Sequence, residues 1–521
     1  MTRTWPFLSA LLLLLAVGGA FYGLSLEAGG DAEWNEAYYW RAARFTVLQA
    51  GLSALLATGL AIPVARALAR RGDFMGRDLL LRLFALPLVL PTLAAVLGIV
   101  SVFGANGWIN RALDAAGMGA RVPLYGLTGI LVAHVFFNMP LAVRLLLKVW
   151  SAVPGETWRL SAQLGMDGNA IFRRIEWPLV RRHAPGVAGL VFLLCATSFT
   201  PVLALGGGPA ATTLEVAIYQ SLRFDFAPDR AAVLAVLQLV LCIAALMAWQ
   251  ALARPMPAAP TSGRGDIRPD RAGTAWRDGA WIALAAMFVA APLLSLLLDG
   301  VGPALLRVLG EAAMWRAMAL STAIAAMTAL LSLAISAGLL LGTRHLRRTA
   351  PRAAMPFLSL GLVALVVPPF VLGTGWFILL RGTGDPLRFG IAVIVAINAL
   401  MTLPYVVRAL DPALAGTEER YGRLSASLGV DGWHRFRLVD WPALRHPLGL
   451  ALGLCLALSL GDLGAVALFG GGDTATLPLM LYQRMGSYRI DEAAALALVL
   501  AALCLGLFTL SEKIVGGPGD N

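Results

Sequence analysis

Long apolar blocks separated by short polar stretches dominate this chain. A helix rises about 1.5 Å per residue, so about 20 apolar residues cross a hydrocarbon core about 30 Å thick. Blocks of that length stand at 7–24, 45–68, 80–103, 124–147, 185–205 and 231–253. A second set follows at 280–298, 318–342, 356–380, 389–407, 447–469 and 493–511. The pattern predicts an all-α, polytopic membrane protein with about 12 spans in two sets of six. The first block follows Arg3 and is expected to remain as an uncleaved anchor.

Composition sharpens this picture. Of 521 residues, 59% are hydrophobic and only 14% charged, too little charge to cover a soluble protein of this size. A net charge of +11 invites a nucleic-acid reading, but the placement of the charge argues against one. With the N-terminus inside, the outer loops hold only Arg41, Arg44, Arg111, Arg121, Arg223, Arg230, Arg307, Arg316, Arg381, Arg388, Arg484 and Arg489 of the 41 basic residues. The excess falls on the cytoplasmic side, as the positive-inside rule expects. The basic charge is topogenic, and the partner it implies is the lipid bilayer. Both termini are expected in the cytoplasm.

An internal repeat organises the chain. Residues 159–178 read RLSAQLGMDGNAIFRRIEWP, and residues 423–442 read RLSASLGVDGWHRFRLVDWP, 264 positions later. The same offset carries Pro140 and Arg144 onto Pro404 and Arg408. Both copies fall on the cytoplasmic side, so the halves repeat in parallel. The expected division is an N-terminal half 1–253 with a loop at 150–183, and a C-terminal half 280–521 with a loop at 410–446. Between them, 254–279 reads as a solvated cytoplasmic linker, rich in Pro and scattered charge.

Each repeated segment reads as helix, glycine turn, second helix and proline stop. Gly165 and Gly429 suit the left-handed turn that ends a helix, Asp167 and Asp431 stand at N-cap positions, and Pro178 and Pro442 are expected to forbid continuation. Phe172 and Ile175 share one face of the short second helix, an aromatic docking surface of the helix-in-groove kind.

The spacing from Gly165 to Pro178, repeated from Gly429 to Pro442, resembles the EAA loop of ABC importer permeases, EAA-x3-G-x9-I-x-LP. Ile175 and Pro178 match the family's Ile and Pro positions, as do Val439 and Pro442; Ala162 and Ala426 directly follow the three triplet positions. Arg159 and Arg423 occupy the acidic position, and Trp177 and Trp441 replace Leu. The resemblance implies the type I ABC importer permease fold and a coupling loop made by Arg159, Ala162, Gly165, Asp167, Phe172, Ile175 and Pro178. Its second copy is made by Arg423, Ala426, Gly429, Asp431, Phe436, Val439 and Pro442. It implies two copies of an ABC ATPase subunit and a periplasmic substrate-binding protein as partners.

The stretches HVFFNMPLAVRLLL (134–147), SFTPVLALGGGPAATTLEVAIYQ (198–220) and LSLGDLGAVALFGGGDTATLPLMLYQRMGSYR (458–489) are similar to fused permeases of thiamine importers. That likeness implies import of thiamine or its phosphates. The ferric-iron permease branch, with polyamine carriers behind it, is the nearest alternative; an ion-coupled secondary transporter is the second.

No enzyme chemistry is legible. A Walker A loop needs Gly-x-x-x-x-Gly-Lys-Ser/Thr, and the only lysines, Lys148 and Lys513, lack that context. No catalytic residue or metal site is expected, and no cofactor on this chain; ATP and Mg belong to the partner. Cys195, Cys242, Cys455 and Cys504 fall in apolar blocks without ligand spacing. Asp462 lies in the eleventh block, opposite Ser198 by the offset. A carboxylate within a membrane bundle faces a cavity or caps a helix break. Asp462, Ser198 and Asn138 are the candidates for the translocation path, while His134, Asn138 and Asn398 also suit hydrogen bonding between helices.

Overall fold

The computed structural model describes residues 5–27, 36–118, 121–253, 268–271, 273–344, 346, 351–361, 367–471 and 474–516. Among them, 11 helices are long and apolar enough to cross a membrane. The elements that matter are α1 (Trp5–Glu27), α2 (Glu36–Arg70), α3 (Thr92–Phe103), α4 (Leu127–Ser151) and α5 (Gly155–Gln163). Then come α6 (Gly168–Ala196), α7 (Leu214–Arg223), α8 (Pro228–Leu252), α9 (Ala275–Gly300) and α10 (Ala312–Gly342). The chain ends through α11 (Pro369–Arg381), α12 (Gly390–Ser427), α13 (Gly432–Leu460), α14 (Leu477–Gly486) and α15 (Ile490–Gly516).

Four expected spans differ; the fifth and eleventh blocks are cut after Ala196 and Leu460, before the short helices Thr200–Leu205 and Gly464–Phe469. The third block, 80–103, is broken into Arg77–Leu83, Leu86–Val89 and α3, because Pro87 and Pro91 cannot donate to the helix ladder. The ninth block, 356–380, contains only the 13-residue α11 and the end of Pro351–Leu360, with 362–366 outside the described residues.

Packing partners recur along the chain. Helix α2 packs on α4 and α6, and α10 packs on α12 and α13. The pairs α6–α8 and α13–α15 correspond in the same way. The first helices cross over: α1 lies on α10 and α11, and α9 lies on α2 and α3. Side chains tie these crossings to backbone, as helices in lipid require. Trp376 Nε1 donates to the Ala16 carbonyl at 2.8 Å, and Ser295 Oγ donates to the Gly98 carbonyl at 3.0 Å.

Where the structure describes the linker, Gly273, Ala275, Trp276 and Arg277 are exposed but the rest is not uniformly solvated. Residues 254–267 lie outside the described residues, but Arg268, Asp270 and Asp278 are all buried. Burial of these charges is tolerated because each meets an opposite charge from the end of α2 or from the coupling region.

Candidate coupling loops and central cavity

In the repeated segments, α5 ends at a turn where Gly165 has φ +62°, and α12 ends where Gly429 has φ +65°. Any side chain with a β-carbon is disfavoured there. Asp167 caps the next helix by accepting the Ala170 amide at 2.8 Å, whereas the Asp431 side chain makes no cap bond. The helix then continues, against expectation. Residues Phe172–Glu176 and Phe436–Asp440 form a π-helical turn that runs directly into Trp177–Ala196 and Trp441–Leu460. The Trp177 amide reaches back to the Phe172 carbonyl, five residues away. The wider turn accommodates the ring of Pro178, or of Pro442, that would otherwise press on the carbonyl four residues back. Each proline therefore begins a spanning helix instead of stopping a short one.

The two copies expose matching residues. Arg159, Ala162, Gly165 and Asp167 are exposed, as are Arg423, Ala426, Gly429 and Asp431. Phe172, Ile175, Phe436 and Val439 are only half-buried, and Pro178 is half-buried where Pro442 is exposed. Phe172 is not a free aromatic: the Arg66 guanidinium lies 4.3 Å from its ring centroid. The exposed apolar groups that match are instead Leu160, Leu164 and Trp177, with Leu424, Leu428 and Trp441 at the same offset; the second copy also exposes Trp433 and Leu438, where the first has Asn169 and Arg174.

Directly before each Trp–Pro pair sits a buried carboxylate. Glu176 accepts from Arg66 Nε at 2.6 Å, Trp150 Nε1 at 3.0 Å and Arg268 Nη2 at 2.5 Å. Asp440 accepts from both terminal nitrogens of Arg344, at 2.7 and 3.0 Å. Arg344 also binds Glu418, which accepts from Arg435 at 2.7 Å. The first network extends into the linker: Arg70 binds Asp270 at 2.7 Å and Asp278 at 3.2 Å, and Arg71 binds Asp278 at 3.2 Å. Burial alone pushes the Asp270 carboxyl up, but Arg268 and Arg70 beside it outweigh burial and hold it below its ordinary value.

Between the halves, α6, α8, α11, α12 and α13 enclose a cavity of about 300 Å³. One face of α12 supplies Asn398, Met401, Thr402, Tyr405 and Arg408; α8 supplies Cys242, Leu246 and Trp249. Asp462 lines this cavity and also caps the short helix Gly464–Phe469, accepting the Gly464 and Ala465 amides at 3.0 and 3.2 Å. Ser198 and Asn138 are not on its wall; Thr197 is, and so is Thr402, which stands 264 residues after Asn138. Asn138 points instead into the first half, donating to the His134 carbonyl at 2.9 Å and reaching Cys195 Sγ at 3.5 Å. His134 meets Ser53 Oγ at 2.9 Å, and Asn398 donates to Ser459 Oγ at 3.2 Å.

Residues 334–511 match the family described as binding-protein-dependent transport system inner membrane component. Over 515 residues the chain is 47% identical to the thiamine transport system permease protein of Brucella abortus strain 2308, covering 97% of this chain and 94% of the relative. The protein of that name from Escherichia coli K12 is 43% identical over 522 residues, with 99% and 97% covered. The one from Haemophilus influenzae is 36% identical over 502 residues, with 95% and 93% covered. This chain belongs to the thiamine transport system permease family.

Membership makes the chain a multi-pass membrane component of a transport system, of a kind with relatives named as permeases. Several groups that shape the permease escaped the sequence reading. Glu176 and Asp440 carried a usable signal, since an acid precedes Trp–Pro in both copies of the repeat. Arg66, Arg268 and Arg344 carried none. Their partners Glu176, Glu418 and Asp440 lie 74 to 110 residues away, and the nearby Asp270 beside Arg268 does not by itself distinguish it from a topogenic arginine.

Proposed function

We propose that this permease moves thiamine or its phosphates from the periplasm to the cytoplasm, through the cavity between two fused homologous halves, 1–253 and 280–521. A periplasmic binding protein delivers the substrate, and two copies of a separate ABC ATPase, carrying ATP and Mg, supply the energy. The termini lie in the cytoplasm of a bacterial cell, and the chain itself catalyses nothing.

One observation carries the mechanism: two matching helix–turn–helix surfaces, each with Leu–x3–Leu exposed before a left-handed glycine. A motor that closes beneath them pushes on α6 and α13, because each turn continues without a break into one of those spanning helices. Both helices line the cavity, so force applied outside the membrane reaches its wall. Asp462 gives the cavity a carboxylate for the thiazolium cation, and Trp249 and Tyr405 give it aromatic surface. Near full-length relatives named for thiamine support that substrate over ferric iron. The test is uptake of labelled thiamine by proteoliposomes holding permease, ATPase and binding protein, with ion gradients collapsed by ionophores. ATP-dependent uptake is expected. Uptake without ATP overturns the mechanism, and competition by ferric iron but not by thiamine monophosphate overturns the substrate.

A further inference from the structure

The helix pairs α6–α8 and α13–α15 correspond, yet their cytoplasmic ends differ. In the second pair, Gly449 admits the end of α15: a β-carbon there would stand 2.9 Å from the Gly516 amide nitrogen. Ser511 Oγ also donates to the Gly449 carbonyl at 3.1 Å, so the pair is shut. Residue 185, 264 positions before Gly449, is a proline. Its ring stands where the second half has only hydrogen, and a groove of about 620 Å³ lies between α6 and the last turn of α8.

Ile175, Pro178, Leu179, Pro185, Ala251 and Leu252 give this groove apolar walls, and Arg181 and Arg182 lie at its edge. Both arginines are exposed, and neither has an ion-pair partner among the described residues. The groove is continuous with a surface built for lipid. On α8, Cys242, Leu246 and Trp249 face the central cavity, while Val236, Val240, Ile243, Met247 and Ala251 form an exposed apolar ridge at helical spacing on the opposite side. That ridge runs down the helix and ends in the groove. At its other end the groove abuts the coupling loop through Ile175 and Pro178, while the exposed Leu160 and Leu164 lie outside it.

We infer that this groove is a binding site for an anionic phospholipid of the inner leaflet, with the headgroup phosphate on Arg181 and Arg182 and an acyl chain along the α8 ridge. Basic pockets between helices at the cytoplasmic interface recognise such headgroups by charge. Among the described residues the second half, with Arg445 and His446 in place of the two arginines and its helix pair closed at Gly449, shows no matching groove.

The test is native mass spectrometry of the permease–ATPase complex after extraction from membranes containing phosphatidylglycerol and phosphatidylethanolamine. Wild type is expected to retain phosphatidylglycerol. Arg181→Gln with Arg182→Gln is expected to lower retention about 30-fold, two charges each worth about 1 kcal/mol at the surface. Replacing both by Lys preserves retention, and Arg445→Gln leaves it unchanged. Ala251→Trp fills the groove without altering charge and is expected to displace the lipid, which keeps the test decisive if the double variant assembles poorly. Full retention in both the double variant and Ala251→Trp overturns the inference. Loss of the ATPase from the double variant with lipid retained also overturns it, by assigning the groove to a protein partner.

Discussion

Neutralising Glu176 tests whether the buried network holds the first coupling helix in place. Glu176 has no exposed surface, and its two oxygens are shared by Arg66, Arg268 and Trp150. In Glu176→Gln, Arg268 keeps Asp270 at 3.1 Å, but Arg66 loses its only carboxylate among the described residues. Breaking one side of a buried ion pair costs about 3–5 kcal/mol. Arg66 retains 17% of its side-chain exposure, so the lower end, about 3 kcal/mol, applies. Asp440→Asn is the internal comparison. There Arg344 keeps Glu418, and the loss is expected to be about 1 kcal/mol. A unit of this size shifts by about 2–4 °C per kcal/mol, so Glu176→Gln should lower the thermal midpoint by roughly 6–12 °C and Asp440→Asn by roughly 2–4 °C. Both are read by thermal unfolding of the purified complex in detergent, with ATP-driven uptake alongside. An equal or larger loss for Asp440→Asn refutes the reasoning.

Gly165→Val places a β-branched residue at φ +62°, a strain of about 1–2 kcal/mol, and is expected to leave ATP hydrolysis running while uptake falls; normal coupling removes the role given to the turn. Asp462→Asn keeps an acceptor for the short helix but removes the charge, and is expected to raise the thiamine KM roughly tenfold, one charge-assisted contact of about 1.5 kcal/mol; an unchanged KM removes Asp462 from the path. Asp270 titrates below its ordinary value of 3.8, so its pairing stabilises fully above that pH and is lost as pH falls through the lower folded value. Asp270→Asn should therefore be less stable than wild type at neutral pH, with the gap closing only below about pH 4 in thermal scans; a gap closing already near pH 6 contradicts the assignment.

Architecture was largely written into local pattern, because lipid forces each span to be continuously apolar and each backbone bond to close within its helix. The repeat at offset 264 placed both glycine turns correctly. What escaped were features decided at a distance. Pro178 reads as a helix stop by local rules, yet a π turn one residue earlier absorbs it. Arg268, Asp270 and Asp278 read as solvated because each is charged, and they are buried because Glu176 meets Arg268 while α2 brings Arg70 and Arg71 to the two aspartates. Asn138 and Thr402 hold equivalent places in the repeat, but only Thr402 faces the cavity, an asymmetry that no comparison of the two copies reveals.

The proposed function makes the twin helices the point at which a motor grips, and that contact can be trapped. Cysteines placed at Leu164 and at Leu428, both 67% exposed, should each form a short crosslink to the ATPase subunit, faster when ATP is bound. Crosslinks at both positions that block uptake until reduced are the predicted result. Capture of the ATPase at neither position, in a complex that still imports thiamine, would contradict the account.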